Sequence, residues 1–273
     1  MRAILAIAAS EFRISRRNNL LRASVVIMVL FSCALTLLGS GATGTLGVDM
    51  LTASSASLAT LSVYIVPLIA LLLSFDAIAG EVERGTLALV LTYPAPRFSL
   101  IIGKLFAHLL SLAVALVLGY GAAIVVTMFM GAVNVAGLLI MLKLLFGAVL
   151  LGAAFLGLGY ALSAWSRSAG AAAGYVIGVW LVFVVLYDIG LLAGLMVDAS
   201  DGIFTKEFFP WLLIANPADA FRLVTLPSGQ AAELASGFVT SANAVGLAPL
   251  LSLVIWPVFT LVLAWTAIQR VEP

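Results

Sequence analysis

The chain has 273 residues, of which 64% are hydrophobic and 9% charged, with a formal net charge of +1 and a mean hydropathy of +1.23. A water-soluble domain carries about 25% charged residues, so this much apolar surface cannot be hidden in one aqueous core. The near-neutral balance gives no electrostatic footprint for nucleic acid.

In chain order, residues 1–22 come first as a basic lead-in. Ile4, Ala8 and Phe12 recur at i, i+4, and Arg13, Arg16 and Arg17 gather at the end. That pattern predicts an interfacial helix with its arginines toward anionic lipid; an ordinary positive flank of the first span fits the same residues. The basic region extends to Arg22 without a clean small-residue cleavage site, so it does not read as a cleavable signal.

Six apolar runs follow, over residues 23–38, 58–75, 105–131, 137–163, 170–197 and 246–268. Roughly 20 residues at 1.5 Å rise cross the hydrocarbon core of a bilayer. Backbone polar groups in lipid must be satisfied within the segment, so these runs are helices, and the short alternating segments of a barrel do not occur. The expectation is an all-α integral membrane protein with six spans, organised as one membrane domain over residues 1–273.

With the N-terminus inside, ten basic residues fall on the inner side: Arg2, Arg13, Arg16, Arg17, Arg22, Arg84, Arg97, Lys104, Arg167 and Arg270. Lys143, Lys206 and Arg222 fall outside or near an outer span end. The excess places both termini in the cytoplasm.

Ionisable and sulfur-bearing residues in the spans are few. Single Cys33 and His108 exclude an intrachain disulfide and the usual clustered zinc motifs. His108 shares a helical face with Lys104 and reads as a packed or hydrogen-bonded histidine rather than a proton relay. Charges at membrane depth are functional candidates; Lys143 can snorkel outward, or it can pair with Asp188 of the fifth run. Met50, Met128, Met130, Met141 and Met196 lie toward the outer side; thioethers suit Cu(I), but packing explains them better. No metal site is expected.

Catalytic motifs are missing. Tyr187-Asp188 supplies half of an intramembrane aspartyl dyad, but Tyr160 stands after Gly157-Leu158-Gly159 where the second acid belongs. Neither H-E-x-x-H nor G-x-S-x-G occurs. Gly103-Lys104 superficially resembles a phosphate loop, with Phe98 in place of the first glycine and Leu105 in place of Ser/Thr. No catalytic residue is assigned.

Between the second and third runs lies a charged segment, FDAIAGEVERGTLALVLTYPAPR. Asp76 ends the span, and Glu81 and Arg84, at i, i+3, are placed to pair. Gly85 permits a bend, and Thr86 caps or starts the next turn. The apolar stretch 87–91 then lies along the membrane surface, Pro94 and Pro96 stop the helix, and Arg97 anchors the return. The result is a rigid projection for another protein to hold.

This segment resembles the signature region of the ABC-2 type permeases, with Glu81, Glu83, Arg84, Gly85, Thr86 and Leu87 followed by Pro94, Arg97, Gly103 and Lys104. Residues 210–226, PWLLIANPADAFRLVTL, narrow the likeness to the permeases that serve maturation of the nitrous oxide reductase copper site. The likeness covers essentially the whole chain. It implies an ABC-2 (type V exporter-like) permease fold in the bacterial inner membrane and a subunit without its own ATPase. Two copies would pair with two copies of a cytoplasmic ABC ATPase (NosF-like) that binds the ATP and Mg. A periplasmic copper-handling protein (NosD-like) would dock outside.

Under this resemblance, residues 76–104 are the coupling loop, with Glu81, Glu83, Arg84, Gly85 and Thr86 meeting the ATPase and Pro94, Pro96 and Arg97 shaping it. Residues 198–245 are an outer loop with interfacial helices, in which Phe208, Trp211, Asp219 and Arg222 are candidates for a partner surface. Either copper or a sulfur species crosses, or mechanical work is done on the outer partner. Two other classes fit less well: an ion-gradient-driven transporter or channel using His108, Lys143 or Asp188, and an intramembrane enzyme.

Overall fold

The computed structural model describes residues 2–15, 19–46, 50–86, 97–131, 133–198, 202–226 and 246–271. Among them there are helices and no strands. Six helices are long and apolar enough to cross a membrane: Asn19–Gly39, Met50–Glu83, Phe98–Phe129, Val135–Trp165, Ala169–Val197 and Ala248–Gln269. They are called spans one to six below. Each contains an expected apolar run or most of one. The second begins eight residues before its expected start at 58, because Thr52, Ser54, Ser55 and Ser57 lower its hydropathy without ending the helix. Ser54 and Ser55 instead turn their hydroxyls back onto the carbonyls of Met50 and Thr52, a bond that lets serine sit inside a helix.

Span four is the central post. It packs on spans two, three and six, and its Phe155 and Tyr160 are fully buried. Glycines let its neighbours come close: a Cβ on Gly157 would stand 3.0 Å from the carbonyl carbon of Thr260 on span six. Gly159 faces the Ser74 side chain of span two in the same way. Spans one and three pack together, and the N-terminal helix Arg2–Ser15 lies along span three. Its Ile4, Ala8 and Phe12 face Ile102, Phe106 and Leu110 across an apolar groove of about 550 Å³. The expected amphipathic helix is therefore docked on the bundle; Arg16 and Arg17 lie outside the described residues.

Span two is interrupted at Phe75 and resumes as the short helix Asp76–Glu83, here the elbow helix. At the opposite end, span five passes through a wider π-helical stretch, Leu181–Leu186, before Tyr187–Val197. Short helices Phe209–Ala215 and Pro217–Thr225 then fold back onto the bundle. Asn216 ends the first and caps the second, accepting the amide of Ala218 at 3.1 Å.

Gly157→Val should force span six away from span four. The expected cost is about 1–3 kcal/mol of stability, the usual penalty for overfilling a packed contact, read as a lowered thermal unfolding midpoint in detergent. An unchanged midpoint would contradict the close approach.

Candidate functional site

A helix that breaks inside a packed bundle exposes amides that must find partners. At Phe75 the partner comes from span four. The Ser163 Oγ accepts the amides of Ile78 at 3.0 Å and Ala79 at 2.9 Å, and donates to the Phe75 carbonyl at 2.6 Å. In an unbroken helix the Ile78 amide would point to the carbonyl of Ser74, four residues back. The inserted hydroxyl therefore gives the interruption at Phe75 a cause of a recognised kind.

The elbow helix carries acids on two sides. Glu81 turns inward, where its Oε1 accepts from the Lys104 Nζ at 2.7 Å. The same ammonium reaches Glu11 of the N-terminal helix at 2.6 Å. All three side chains are largely enclosed, with exposures of 5% for Lys104, 18% for Glu11 and 15% for Glu81. Glu81 Oε2 is buried without a hydrogen-bond partner. One turn along span three, the buried His108 Nδ1 lies 2.6 Å from the Tyr160 hydroxyl of span four. A cavity of about 220 Å³ is lined by Glu11, Asp76, Glu81, Arg84, Lys104 and His108, among others.

Glu81 therefore does not pair with Arg84, as their i, i+3 spacing predicts. Arg84 reaches back to Asp76 at 3.3 Å across Gly80, where an added Cβ would meet the Asp76 carboxylate and come within 2.9 Å of the guanidinium. That pair is exposed, 58% and 42%, and such bridges contribute little. Lys104, expected as a basic flank, is instead buried inside the cluster. Glu83 is exposed, and its Oε2 accepts the Ala169 amide at the start of span five at 3.0 Å. An acid there complements a helix N-terminus. Gly85 closes the elbow helix with φ of +69°, a conformation in which glycine avoids Cβ strain. The Thr86 hydroxyl donates to the Glu81 carbonyl at 3.3 Å. Pro94 and Pro96 lie outside the described residues, as does the stretch 87–91, and Arg97 opens the helix of span three.

A second polar cluster ties the opposite end. Arg222 holds Asp188 of span five with two nitrogens, at 2.9 and 2.8 Å, and Asp219 at 2.7 Å. Its guanidinium also lies 5.7 Å from the centre of the Tyr64 ring on span two. Asn216 donates to Asp219 at 2.9 Å and to the Phe183 carbonyl of the π-helical stretch at 2.8 Å. Burial pushes the Asp219 carboxyl above its ordinary range, Arg222 pulls it back, and Asp188 pushes it up again. Burial works against the charge of Arg222, but the Asp188 hydrogen bond and the two carboxylates outweigh it and hold the guanidinium above its usual value.

Asp188 pairs with Arg222, and the Lys143 side chain is exposed on span four, so the alternative of a Lys143–Asp188 pair does not hold. One expectation is corrected here. Asp219, 1% exposed, and Arg222, whose side chain is 13% exposed, face the bundle and are no outward surface. Phe208 and Trp211 do stand exposed. Met50 and Met141 are buried while Met128, Met130 and Met196 are exposed. Among the described residues no group of three His, Cys, Asp or Glu could hold a metal ion.

Sequence reading missed Ser163, Glu11 and Tyr160 as partners of the elbow cluster. A signal existed for Glu11, the one acid in a lead-in with five arginines. Ser163 offered none, since its partners lie more than 80 residues away.

Six lipid-length helices among the described residues, with a braced elbow at the end of span two and a folded-back helix pair before span six, define a multi-pass membrane protein. The chain belongs to the ABC-2 family: the model described as "ABC-2 family transporter protein" matches residues 5–272. Among curated proteins, it is 39% identical over 278 residues to the "Probable ABC transporter permease protein NosY" of Pseudomonas aeruginosa, covering 99% of each chain. It is 37% identical over 284 residues to the protein of the same name from Stutzerimonas stutzeri, again over 99% of each. It is thus an ABC transporter permease subunit of the bacterial inner membrane. The family implies an ATPase partner.

Ser163→Ala would leave two amides and a carbonyl without their partner. The expected loss is at least about 1–3 kcal/mol, the cost of a single such group left unmet, together with faster hydrogen exchange at Ile78 and Ala79; exchange at the native rate would contradict the role given to the hydroxyl. Arg222→Leu should cost about 3–5 kcal/mol by stranding two carboxylates, whereas Asp219→Asn should cost clearly less because Asp188 still neutralises the guanidinium. Equal losses in thermal unfolding would count against a shared cation.

Proposed function

We propose that two copies of this permease assemble with two copies of a cytoplasmic ABC ATPase (NosF-like), and that ATP hydrolysis there acts on the bundle through the elbow. On this reading the elbow and both termini face the cytoplasm, which the ten-to-three excess of basic residues supports. The chain is one membrane domain, with residues 1–22 as the N-terminal helix, 76–104 as the coupling loop and 198–245 as the outer loop.

The observation that carries the reading is the construction of the elbow. Its base is fixed by Ser163 and Lys104, while Glu83, Arg84, Gly85 and Thr86 are exposed at its tip. A projection that is rigid at its root and polar at its end can receive force without absorbing it. Glu81, turned inward, serves as the inner anchor rather than a contact. Pro94, Pro96 and Arg97 shape the return to span three.

Pairing with a second copy is supported by span five, only 17% buried within one chain. It presents Gly170, Gly174 and Gly178, four residues apart, with nothing within 4 Å of where their side chains would stand. Small residues at this spacing let membrane helices approach closely. Outside, the exposed Phe208 and Trp211 offer a surface to a periplasmic copper-handling protein (NosD-like), and the work serves maturation of the copper site of nitrous oxide reductase. The resemblance carried by residues 210–226 supports that assignment, while the relatives' names support only the role of an ABC transporter permease. The ATP and its Mg belong to the ATPase.

Purified alone, the subunit should hydrolyse no ATP. Reconstituted with its cognate ATPase in lipid vesicles, the native complex should turn over ATP, and Arg84→Glu at the tip should lower that turnover at least about fivefold, as loss of an interface anchor does. Full turnover in the variant, or solute movement by the subunit without any ATPase, would sink the reading.

A further inference from the structure

Gly103 and Lys104 are neighbours on span three, and each does something the other cannot. Gly103 removes bulk: a Cβ there would lie 2.8 Å from the Ile7 Cβ and 3.2 Å from the Ile4 carbonyl oxygen. The N-terminal helix can therefore rest against the backbone of span three only if residue 103 has no side chain. Lys104 adds charge where that contact ends, taking Glu11 from the N-terminal helix and Glu81 from the elbow helix on one ammonium. Among the described residues of the cluster, His108 is bonded to Tyr160 and Arg84 to Asp76, so Lys104 is the cation that meets these two acids.

The arrangement is stiff for a physical reason. The Lys104 side chain is 5% exposed, so solvent screens it little and either carboxylate would be left unpaired if it moved away. The polar cavity of about 220 Å³ borders the same side chains, which leaves space beside the cluster without separating its members.

We propose that Gly103 and Lys104 form a clamp that joins the N-terminal helix and the elbow helix into one lever on span three, with Lys104 as the positioning residue through which a push on the elbow reaches the bundle. The proposal rests on the coupling reading above. It gives the Gly103-Lys104 pair a mechanical purpose and makes the N-terminal helix part of the moving unit. Two routes then leave the elbow: Lys104 to span three, and Ser163 to span four.

The test uses the full complex in vesicles, with Cys33→Ser and spin labels on cysteines placed at Ser10 and Val82, both exposed. The clamp is removed without stranding charge by the triple variant Glu11→Gln, Lys104→Met, Glu81→Gln. In the native complex the distance between the two labels of one chain, separated from distances between copies by diluting labelled with unlabelled chain, should be narrow and unchanged by ATP. In the triple variant it should broaden, and ATP turnover by the assembled complex should fall about tenfold, within the range of ordinary coupling energies. Lys104→Arg should keep both native properties, whereas Gly103→Val should broaden the distance with the ions still present.

A narrow distance in the triple variant would overturn the clamp. So would a broadened distance with native turnover, since the residues would then hold structure without transmitting force. If the native complex itself showed no turnover, the coupling reading would fail instead, and the distance measurement would still decide whether the two helices are joined.

Discussion

The structure depends on one hydroxyl placed where the hydrogen-bond ladder of a helix is interrupted. Span two cannot break its ladder within a packed, water-poor bundle unless the amides freed there are met, because each unmet group carries a desolvation cost of several kcal/mol in lipid. Ser163 meets two amides and one carbonyl at once. From that follows the direction of the elbow helix, which brings Glu81 to Lys104 and Glu83 to the start of span five. The same serine belongs to span four, the post against which spans two, three and six pack. The elbow is thus referenced to the centre of the bundle rather than to its edge.

Both ends of the bundle use the same electrostatic device. One cation stands between two carboxylates, Lys104 between Glu11 and Glu81, and Arg222 between Asp188 and Asp219. Lys104 thereby ties three elements, whereas Arg222 and Asp219 share one helix and tie it to span five, with the Tyr64 ring of span two against the guanidinium. The residue types differ with the geometry. Arg222 grips Asp188 with two nitrogens, which needs the planar fork of a guanidinium. Lys104 reaches two acids from different helices as a compact point charge on a flexible stem, with no such fork to satisfy. Such clusters are weak grounds for overall stability, since apolar packing can do as well. Their value lies in fixing which elements move together.

The spans were legible because apolar runs of this length have few other solutions. Their ends were not: serines and threonines at the start of span two depress hydropathy but satisfy themselves on the preceding turn, so the helix continues where the pattern seems to fade. The elbow was recognised from its charges and its glycine, yet its pairings were misassigned. The i, i+3 rule pointed Glu81 to Arg84, whereas Lys104 stands 23 residues away in sequence on another helix. Arg84 instead found Asp76, two turns away, because Gly80 leaves the space between them empty. Ser163 and Asn216 were invisible as partners since nothing local marks a side chain that will complete a distant backbone. Lys143 and Asp188 look complementary on paper, but Pro217–Thr225 folds back to deliver Arg222 first.

Span two is what relates the two ends. It is the most enclosed of the six, with 61% of its apolar window buried, and it carries Tyr64 beside Arg222 and Phe75 at the elbow. Those two positions are separated by eleven residues, about 16 Å along a helix axis. Over such a length a packed helix tilts or shifts as a body rather than bending smoothly. Two residues beyond Tyr64 from the elbow, its Ser62 shares a hydrogen bond of 2.6 Å with Tyr120 of span three, the helix that also bears Lys104. Spans two and three are therefore joined at the elbow through Glu81 and again deeper through Ser62. A displacement of the elbow cannot be taken up by sliding one of them past the other without breaking a buried polar contact, so the pair must carry it toward Tyr64 and the helices that rest on it.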